Sequence, residues 1–336
     1  VRMHEDGPPI VIGVGASAGG VEALLALSES LDADLPAAVL VVLHQPAEAP
    51  TVLPRLMDNR CALPVRHAEH GDALVPGTVL LAPPDHHLLV VGGRLEVTRG
   101  PRENGHRPAI DPLFRSLAVE AGPAAVGCVL SGLLDDGAAG LLALVRHGGT
   151  AVVQEPDEAL YSSMPRAALA QVPGAIVRPV AELGPTFGEL AARPVIGGRR
   201  PSPGLVREVA ASRAGAIVDD QDRVPGPAAG LVCPDCSGPL FDLSEGNLLR
   251  FRCRVGHAWS EQSLSSVQDT GIERALFTAL QALEDKADLQ HRIARAATER
   301  GSDRTAGRAR EAAHQALQSA GLVRDLLADR KPGDSA

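Results

Sequence analysis

Ser17 lies in the run Gly15-Ala16-Ser17-Ala18-Gly19-Gly20, after an apolar stretch at 10–14 and before an amphipathic stretch at 21–31. A serine on a tight strand-to-helix turn is exposed beside free backbone N–H groups, so the turn suits a nucleophile or a bound phosphate. Two patterns overlap there. Gly13-Val14-Gly15-Ala16-Ser17-Ala18 fits the dinucleotide fingerprint G-x-G-x-x-A, and Gly15-Ala16-Ser17-Ala18-Gly19 fits the nucleophile turn G-x-S-x-G. The next apolar run, 38–43, ends in His44-Gln45. A dinucleotide fold wants an acid at that point to hold a ribose, whereas a histidine there is a general base. Parallel neighbouring strands would bring Ser17 and His44 side by side at their carboxyl ends. A third strand end, Val129-Leu130-Ser131, leads through Gly132-Leu133-Leu134 to Asp135-Asp136-Gly137, offering a carboxylate to orient His44. The order Ser, His, Asp differs from the Ser, Asp, His of α/β-hydrolases, and no Gly-Lys-Ser/Thr marks a Walker-type ATPase. The plainer reading makes Ser17 a helix cap, His44 a strand-end histidine with its own partner, and Asp136 a helix N-cap.

A second chemistry lies downstream. Cys233-Pro234-Asp235-Cys236 is followed after 16 residues by Cys253-Arg254-Val255-Gly256-His257. C-x2-C with C-x3-H is the spacing of a tetrahedral zinc site, and strand-like stretches at 240–243 and 248–252 make it a ribbon. Four protein ligands leave no open coordination position, so Cys233, Cys236, Cys253 and His257 are expected to hold one structural zinc. A unit this small needs a metal to fold. A metal-free redox C-x-x-C would not require the third cysteine or the histidine. Arg250, Arg252 and Arg254, near Phe251 and Trp259, form a basic stripe that is expected to be a solvated face.

The elements that must carry these residues alternate. Strand-like runs at 10–14, 38–44, 78–82, 125–131, 150–154 and 175–177 interleave with helix-like runs at 21–30, 53–59, 112–121, 138–147, 165–171 and 181–190. Continuous Val/Ile/Leu runs suit central parallel strands buried on both faces. A pair at 87–98, turning at Gly92-Gly93, reads as an inserted antiparallel hairpin. The expected class is therefore α/β, a doubly wound and mostly parallel sheet over 1–195. A Gly/Pro-rich linker follows at 196–229 with a short helix at 205–212, then the ribbon at 230–265 and a helical hairpin at 266–330. From Val267 onward 11 acidic and 11 basic side chains balance, as on a solvated helical surface.

Composition limits the function classes. Apolar residues make 45% of the 336-residue chain but aromatics only 2%, so the core must be aliphatic. A formal charge of −9 offers no basic footprint for nucleic acid, and no nucleic-acid partner is expected. No apolar run is long enough to span a bilayer, and the acidic, proline-bearing start does not look like a secretory signal. Five cysteines, three beside a histidine, suggest metal in a reducing compartment. The expected location is cytoplasmic.

Residues 10 to about 190 resemble the catalytic domain of CheB-type protein-glutamate methylesterases. The matching stretches are Gly15-Ala16-Ser17-Ala18-Gly19-Gly20, Val42-Leu43-His44-Gln45-Pro46, Ala82-Pro83-Pro84-Asp85-His86-His87-Leu88, Arg107-Pro108-Ala109-Ile110-Asp111, Leu130-Ser131-Gly132, Asp136-Gly137-Ala138 and Met164-Pro165. The resemblance implies a serine hydrolase with Ser17 as nucleophile, His44 as base and Asp136 as orienting carboxylate. It would remove methyl esters, and also deamidate glutamines, on a chemoreceptor-like protein, and catalysis would need no cofactor. Asp136 is chosen over Asp135 because the family aspartate directly precedes the glycine. Ala18 N–H is the candidate oxyanion donor. Three departures stand out. Only nine residues precede the first strand, so control by the family's receiver domain within this chain is not expected. Gly132-Leu133-Leu134 replaces a Gly-Met-Gly segment. Ala18 stands where many members have Thr.

The ribbon followed by a helical hairpin is similar to the extension on one branch of stand-alone CheB-like proteins. The expected partner is a methylated receptor or similar signalling protein, with membrane association only through it. The hairpin allows a homodimer, a docking arm or a lid. The competing class is a non-catalytic adaptor that binds signalling partners through ribbon and helices. His86 and His87 are expected to be structural, and His67, His70, His106 and His147 to be loop or surface residues. Arg107 and Asp111 are expected to form an ion pair near the site or to face a peptide. Cys61 and Cys128 are expected to be buried thiols.

Overall fold

The computed structural model describes residues 9–195, 197–213 and 226–329. In chain order the first unit holds β1 (Ile10–Ala16), α1 (Gly20–Ser30), β2 (Ala37–Leu43), α2 (Leu53–Asp58), β3 (Val65–His67), β4 (Thr78–Leu81), β5 (His87–Val91), β6 (Arg94–Thr98), α3 (Ile110–Glu120), β7 (Ala125–Val129), α4 (Ala138–Arg146), β8 (Thr150–Gln154), α5 (Ser163–Gln171), β9 (Ile176–Arg178), α6 (Val180–Ala191) and α7 (Pro203–Ala211). The ribbon follows as β10 (Ala228–Val232), β11 (Pro239–Asp242), β12 (Arg250–Cys253) and β13 (Ala258–Ser260). Two long helices, α8 (Glu261–Glu299) and α9 (Asp303–Asp329), complete the chain.

Seven strands form one parallel sheet in the order β3-β4-β2-β1-β7-β8-β9. Every residue of β1, β2 and β7 is buried, as a sheet covered on both faces requires. One face packs Leu24, Leu27, Met57, Leu183 and Phe187 from α1, α2 and α6, and the other packs Ile110, Phe114, Leu117, Leu141 and Leu144 from α3 and α4. The chain order reverses at β1, whose neighbours are β2 and β7, so the crevice beyond those three carboxyl ends is the place for a site. The 87–98 pair forms its own two-stranded antiparallel sheet, as expected.

The glycines of the opening motif have a packing role. A Cβ on Gly15 would lie 2.4 Å from Ile110 Cγ2, and one on Gly13 would lie 2.7 Å from Leu117 Cδ1. The missing side chains let α3 lie directly on β1. That close approach, not a phosphate, accounts for the Gly-x-Gly spacing.

The segment read as a linker does more than connect. Helix α7 packs against α3 with Leu205 in the core and Val209 buried, and Ser212 is fully buried. Residues 214–225 of that segment, including Pro225 of the expected boundary, lie outside the described residues. The ribbon is a four-stranded antiparallel sheet, β10-β11-β12-β13, with Trp259 and Leu264 in its core beside Cys233 and Cys253.

The chain divides into two compact units, Val1–Leu264 and Ser265–Ala336. The second is a pair of helices. Its seam is alanine: Ala287, Ala294 and Ala297 on α8 and Ala306, Ala309, Ala313, Ala316 and Ala320 on α9 are buried. Leu289, Ile293 and Leu317 fit the apolar period but stay exposed. No helix among the described residues is long and apolar enough to cross a membrane.

Candidate active site and metal centre

The register Ala16↔Leu43 between β1 and β2 sets the next residues, Ser17 and His44, side by side. His44 Nδ1 lies 3.1 Å from Ser17 Oγ, and His44 Nε2 lies 2.7 Å from Asp136 Oδ2. With Asp136 ionised, Nε2–H donates to the carboxylate and Nδ1 offers its lone pair to the Ser17 hydroxyl. Serine proteases use the opposite ring nitrogens for these two contacts, and the proton relay is equivalent.

Asp136 is almost fully enclosed. Its Oδ2 also accepts from Ile110 N (2.6 Å), and its Oδ1 accepts from Asn104 Nδ2 (2.9 Å) and Asp111 N (3.3 Å). Burial alone would raise its pKa. The His44 hydrogen bond and charge, with the backbone donor, outweigh burial and hold it down at about 2. Asp135 points elsewhere, accepting from Ser260 Oγ at 2.5 Å and Ser263 Oγ at 3.2 Å, and burial pushes it up to about 6. Of the two neighbouring carboxylates, Asp136 is the one that faces His44.

The turn around Ser17 is braced by the strand end at β7. Ser17 N donates to Ser131 O (2.9 Å), and Ser131 Oγ donates to Ala18 O (2.8 Å). Neither Ala18 N nor Gly19 N has a backbone acceptor among the described residues, so both are available where α1 begins. Gly132 allows the close approach: a Cβ there would lie 2.0 Å from Met164 Sδ and 2.9 Å from Ser17 Cβ. Leu134 adopts a left-handed backbone with φ 62°, the conformation a glycine takes freely. The absence of glycine at this position leaves that shape in place, at a cost of about 1–2 kcal/mol.

Several sequence expectations are corrected. His106 lies in the loop before α3, as expected, but its ring turns inward and stacks on His44 with centroids 3.7 Å apart and planes 10° from parallel. Burial and the neighbouring His44 hold its pKa down at about 3, so it is neutral beside the base. His147 is buried, with Nδ1 2.7 Å from Ala143 O; His67 is half-buried, and His70 is exposed as expected. His87 is fully buried, donating from Nε2 to Pro101 O and accepting Ala109 N at Nδ1, a structural role. Arg107 pairs with Asp85 rather than Asp111. Asp111 instead accepts Gly140 N (2.6 Å) and Gly137 N (3.1 Å), tying α3 to α4. Burial and the charge of Asp136 push its pKa up. Cys128 is buried and Cys61 partly so.

The basic stripe is not a solvated face either. Arg252 is buried and bridges to Glu103 (3.3 Å), Arg250 pairs with Glu208, and only Arg254 is exposed. Arg115 bonds Glu103 at 2.5 Å, and Ser212 Oγ donates to Glu103 at 2.7 Å. Burial would raise both glutamates. The arginines hold Glu208 at about 2 and Glu103 well below the carboxylate range. Glu103, Glu208, Asn104 and Ser260 carried no sequence signal beyond the turn-forming Asn104-Gly105 pair.

At the ribbon, Cys233, Cys236, Cys253 and His257 bring their ligand atoms within 4.8 Å of one another. Cys236 and Cys253 sulfurs are 3.6 Å apart. His257 Nδ1 is 3.5 Å from Cys253 Sγ and 3.8 Å from Cys233 Sγ. Bond lengths of about 2.3 Å to sulfur and 2.0 Å to nitrogen give tetrahedral edges of roughly 3.5–3.8 Å, so this donor set fits one metal ion.

A Ser–His–Asp line at the switch point of a doubly wound parallel sheet is the arrangement that serine hydrolases use. Residues 12–187 match the family model described as CheB methylesterase, so the chain belongs to that family. It is 41% identical over 162 residues to a protein-glutamate methylesterase/protein-glutamine glutaminase of Xanthomonas campestris, covering 47% of this chain and 45% of that one. It is 43% identical over 163 residues to another from Anaeromyxobacter dehalogenans, again covering 47% and 45%. The chain thus spans about half the length of the curated relatives it matches. The crystal structure of the Thermotoga maritima CheB methylesterase catalytic domain superposes over its whole length and 55% of this chain, with TM-score 0.52 and 26% identity.

Proposed function

We propose that the chain is a protein-glutamate methylesterase that removes methyl esters from glutamyl side chains of a chemoreceptor-like protein, with glutamine deamidation at the same site. The observation that carries this reading is the unbroken line from Ser17 Oγ through His44 to Asp136, at 3.1 and 2.7 Å. His44 Nδ1 takes the Ser17 proton as Oγ attacks the ester carbonyl. Ala18 N–H, at the start of α1, donates to the oxyanion. His44 returns the proton to the departing methanol, and water then hydrolyses the glutamyl-Ser17 ester by the reverse relay. Asp136 stays ionised and steadies the imidazolium. The names of the aligned relatives carry both activities, which supports the reading.

The division of labour proposed is a methylesterase region over 1–195, a zinc ribbon over 230–265 and a helical partner module over 266–330. Cys233, Cys236, Cys253 and His257 would hold zinc, which supplies a structural cross-link and takes no part in ester hydrolysis. The cytoplasm is the fitting compartment for thiolate ligands. The helical module serves docking or self-association.

The test is methanol release from a methylated receptor cytoplasmic fragment. Hydrolysis supports the enzyme; tight binding to the fragment with no methanol would establish the adaptor instead.

A further inference from the structure

We infer that the ribbon is a brace for the Ser17–His44–Asp136 site, and that Asn104 is the positioning residue through which it acts. The inference rests on the catalytic reading of that site.

The turn from Glu103 to His106 touches both assemblies. On one side, Asn104 Nδ2 donates to Asp136 Oδ1 at 2.9 Å and the His106 ring stacks on His44. On the other side, Asn104 is held by β13 at two points. Its N–H donates to Ala258 O and its Oδ1 accepts Ser260 N, each at 2.8 Å. Asn104 has a left-handed backbone, φ 53°, which asparagine tolerates better than most side chains. The amide therefore uses its oxygen on the ribbon and its nitrogen on the catalytic carboxylate. No other orientation of that amide serves both neighbours, since Ser260 N is a donor and Asp136 an acceptor.

The contact lies one residue along the chain from a candidate metal ligand. Ala258 follows His257, the fourth ligand. Gly256, inside the Cys253–His257 turn, faces Pro101 so closely that a Cβ would lie 2.8 Å from its Cγ. Trp259, from the same strand, covers Gly105. Asp135, next to Asp136, is held by Ser260 and Ser263. The buried Glu103–Arg252 pair fixes the turn to β12. A ribbon folded around metal thus presents Ala258 and Ser260 at the spacing that clamps Asn104. An unfolded ribbon leaves the amide free to turn away from Asp136.

The test uses the full chain. Asn104→Gly keeps the left-handed backbone and deletes the amide. Asn104→Asp keeps the shape but sets an oxygen against the Asp136 carboxylate. On a small glutamyl methyl ester, the expected result for Asn104→Gly is a fall in kcat of about ten- to a hundredfold with KM within about twofold, and a larger fall for Asn104→Asp. The downfield proton of the His44–Asp136 hydrogen bond should shift or broaden in both, while metal content stays near wild type. In Cys236→Ser, loss of bound zinc should be accompanied by loss of that proton signal and of Ser17 labelling by a fluorophosphonate. Wild-type kcat and an unshifted resonance in Asn104→Gly, or a metal-free ribbon with the resonance and labelling intact, would overturn the inference. A wild-type protein that releases no methanol yet shows the resonance, displaced in both Asn104 variants, would refute the methylesterase reading and uphold the brace.

Discussion

His106 lies flat on His44, ring centroids 3.7 Å apart, and stays neutral because burial and its neighbour oppose its protonation. A neutral ring there supports the base without competing for its charge. The same depression makes a stability prediction. The unfolded chain protonates His106 below about pH 6.5, whereas the folded chain resists down to about 3. Stability from this group is therefore present at neutral pH and lost as pH falls from 6.5 toward 3. Asp135, raised to about 6 from 3.8, acts with the opposite sign and gains stability over part of that range. His106→Phe should keep the stack and flatten the acid loss. Denaturant unfolding at pH 7 and pH 4.5 should give a smaller difference for the variant than for wild type.

Asp136→Asn should abolish turnover while leaving the fold intact. Every neighbour of this carboxylate is a donor: His44 Nε2, Ile110 N, Asn104 Nδ2 and Asp111 N. An amide must turn its NH2 toward some of them, which favours the wrong His44 tautomer. A loss of about 10^4 in kcat is expected, read in steady-state kinetics.

Gly132→Ala should damage both activity and stability, because the new methyl meets Met164 and Ser17 at once. Met164 is 1% exposed, so its thioether must shift within the interior to admit the methyl. The expected cost is about 1–3 kcal/mol of stability, with a drop in kcat. Gly174→Ala, which meets nothing within 4 Å, should leave both unchanged.

Glu103→Gln should loosen the ribbon from the α/β core. It removes one charge from a buried cluster and leaves Arg115 and Arg252 short of a counter-charge. Breaking such a pair costs about 3–5 kcal/mol, or roughly 10 °C in Tm for a unit this size. Thermal unfolding followed by Trp259 fluorescence would report it.

Much of this arrangement is legible in the sequence because it is local. Strands β1, β2 and β7 are apolar runs; the serine turn and the histidine directly follow β1 and β2, and Asp136-Gly137 comes a short turn after β7. Four candidate metal ligands at fixed spacing are equally plain. What sequence does not reveal depends on distant partners. Arg252 reads as a surface charge until Glu103, 149 residues earlier, closes on it in the interior. The short strands β3 and β13 have too few residues for a period, and their pairing comes from neighbours. Helix α7 reads as linker because its single buried stripe finds its partner only on α3. Leu134 shows the converse, a residue type that argues against a backbone shape which the surrounding turn nevertheless imposes.

The central claim is that Ser17 is the nucleophile of an esterase. Its most direct measurement is methanol release from a methylated receptor fragment by wild type and by Ser17→Ala at equal concentration. A nucleophilic Ser17 gives steady release by wild type and none above background by the variant, with equal binding of the fragment by both. Equal release by the two proteins would contradict it.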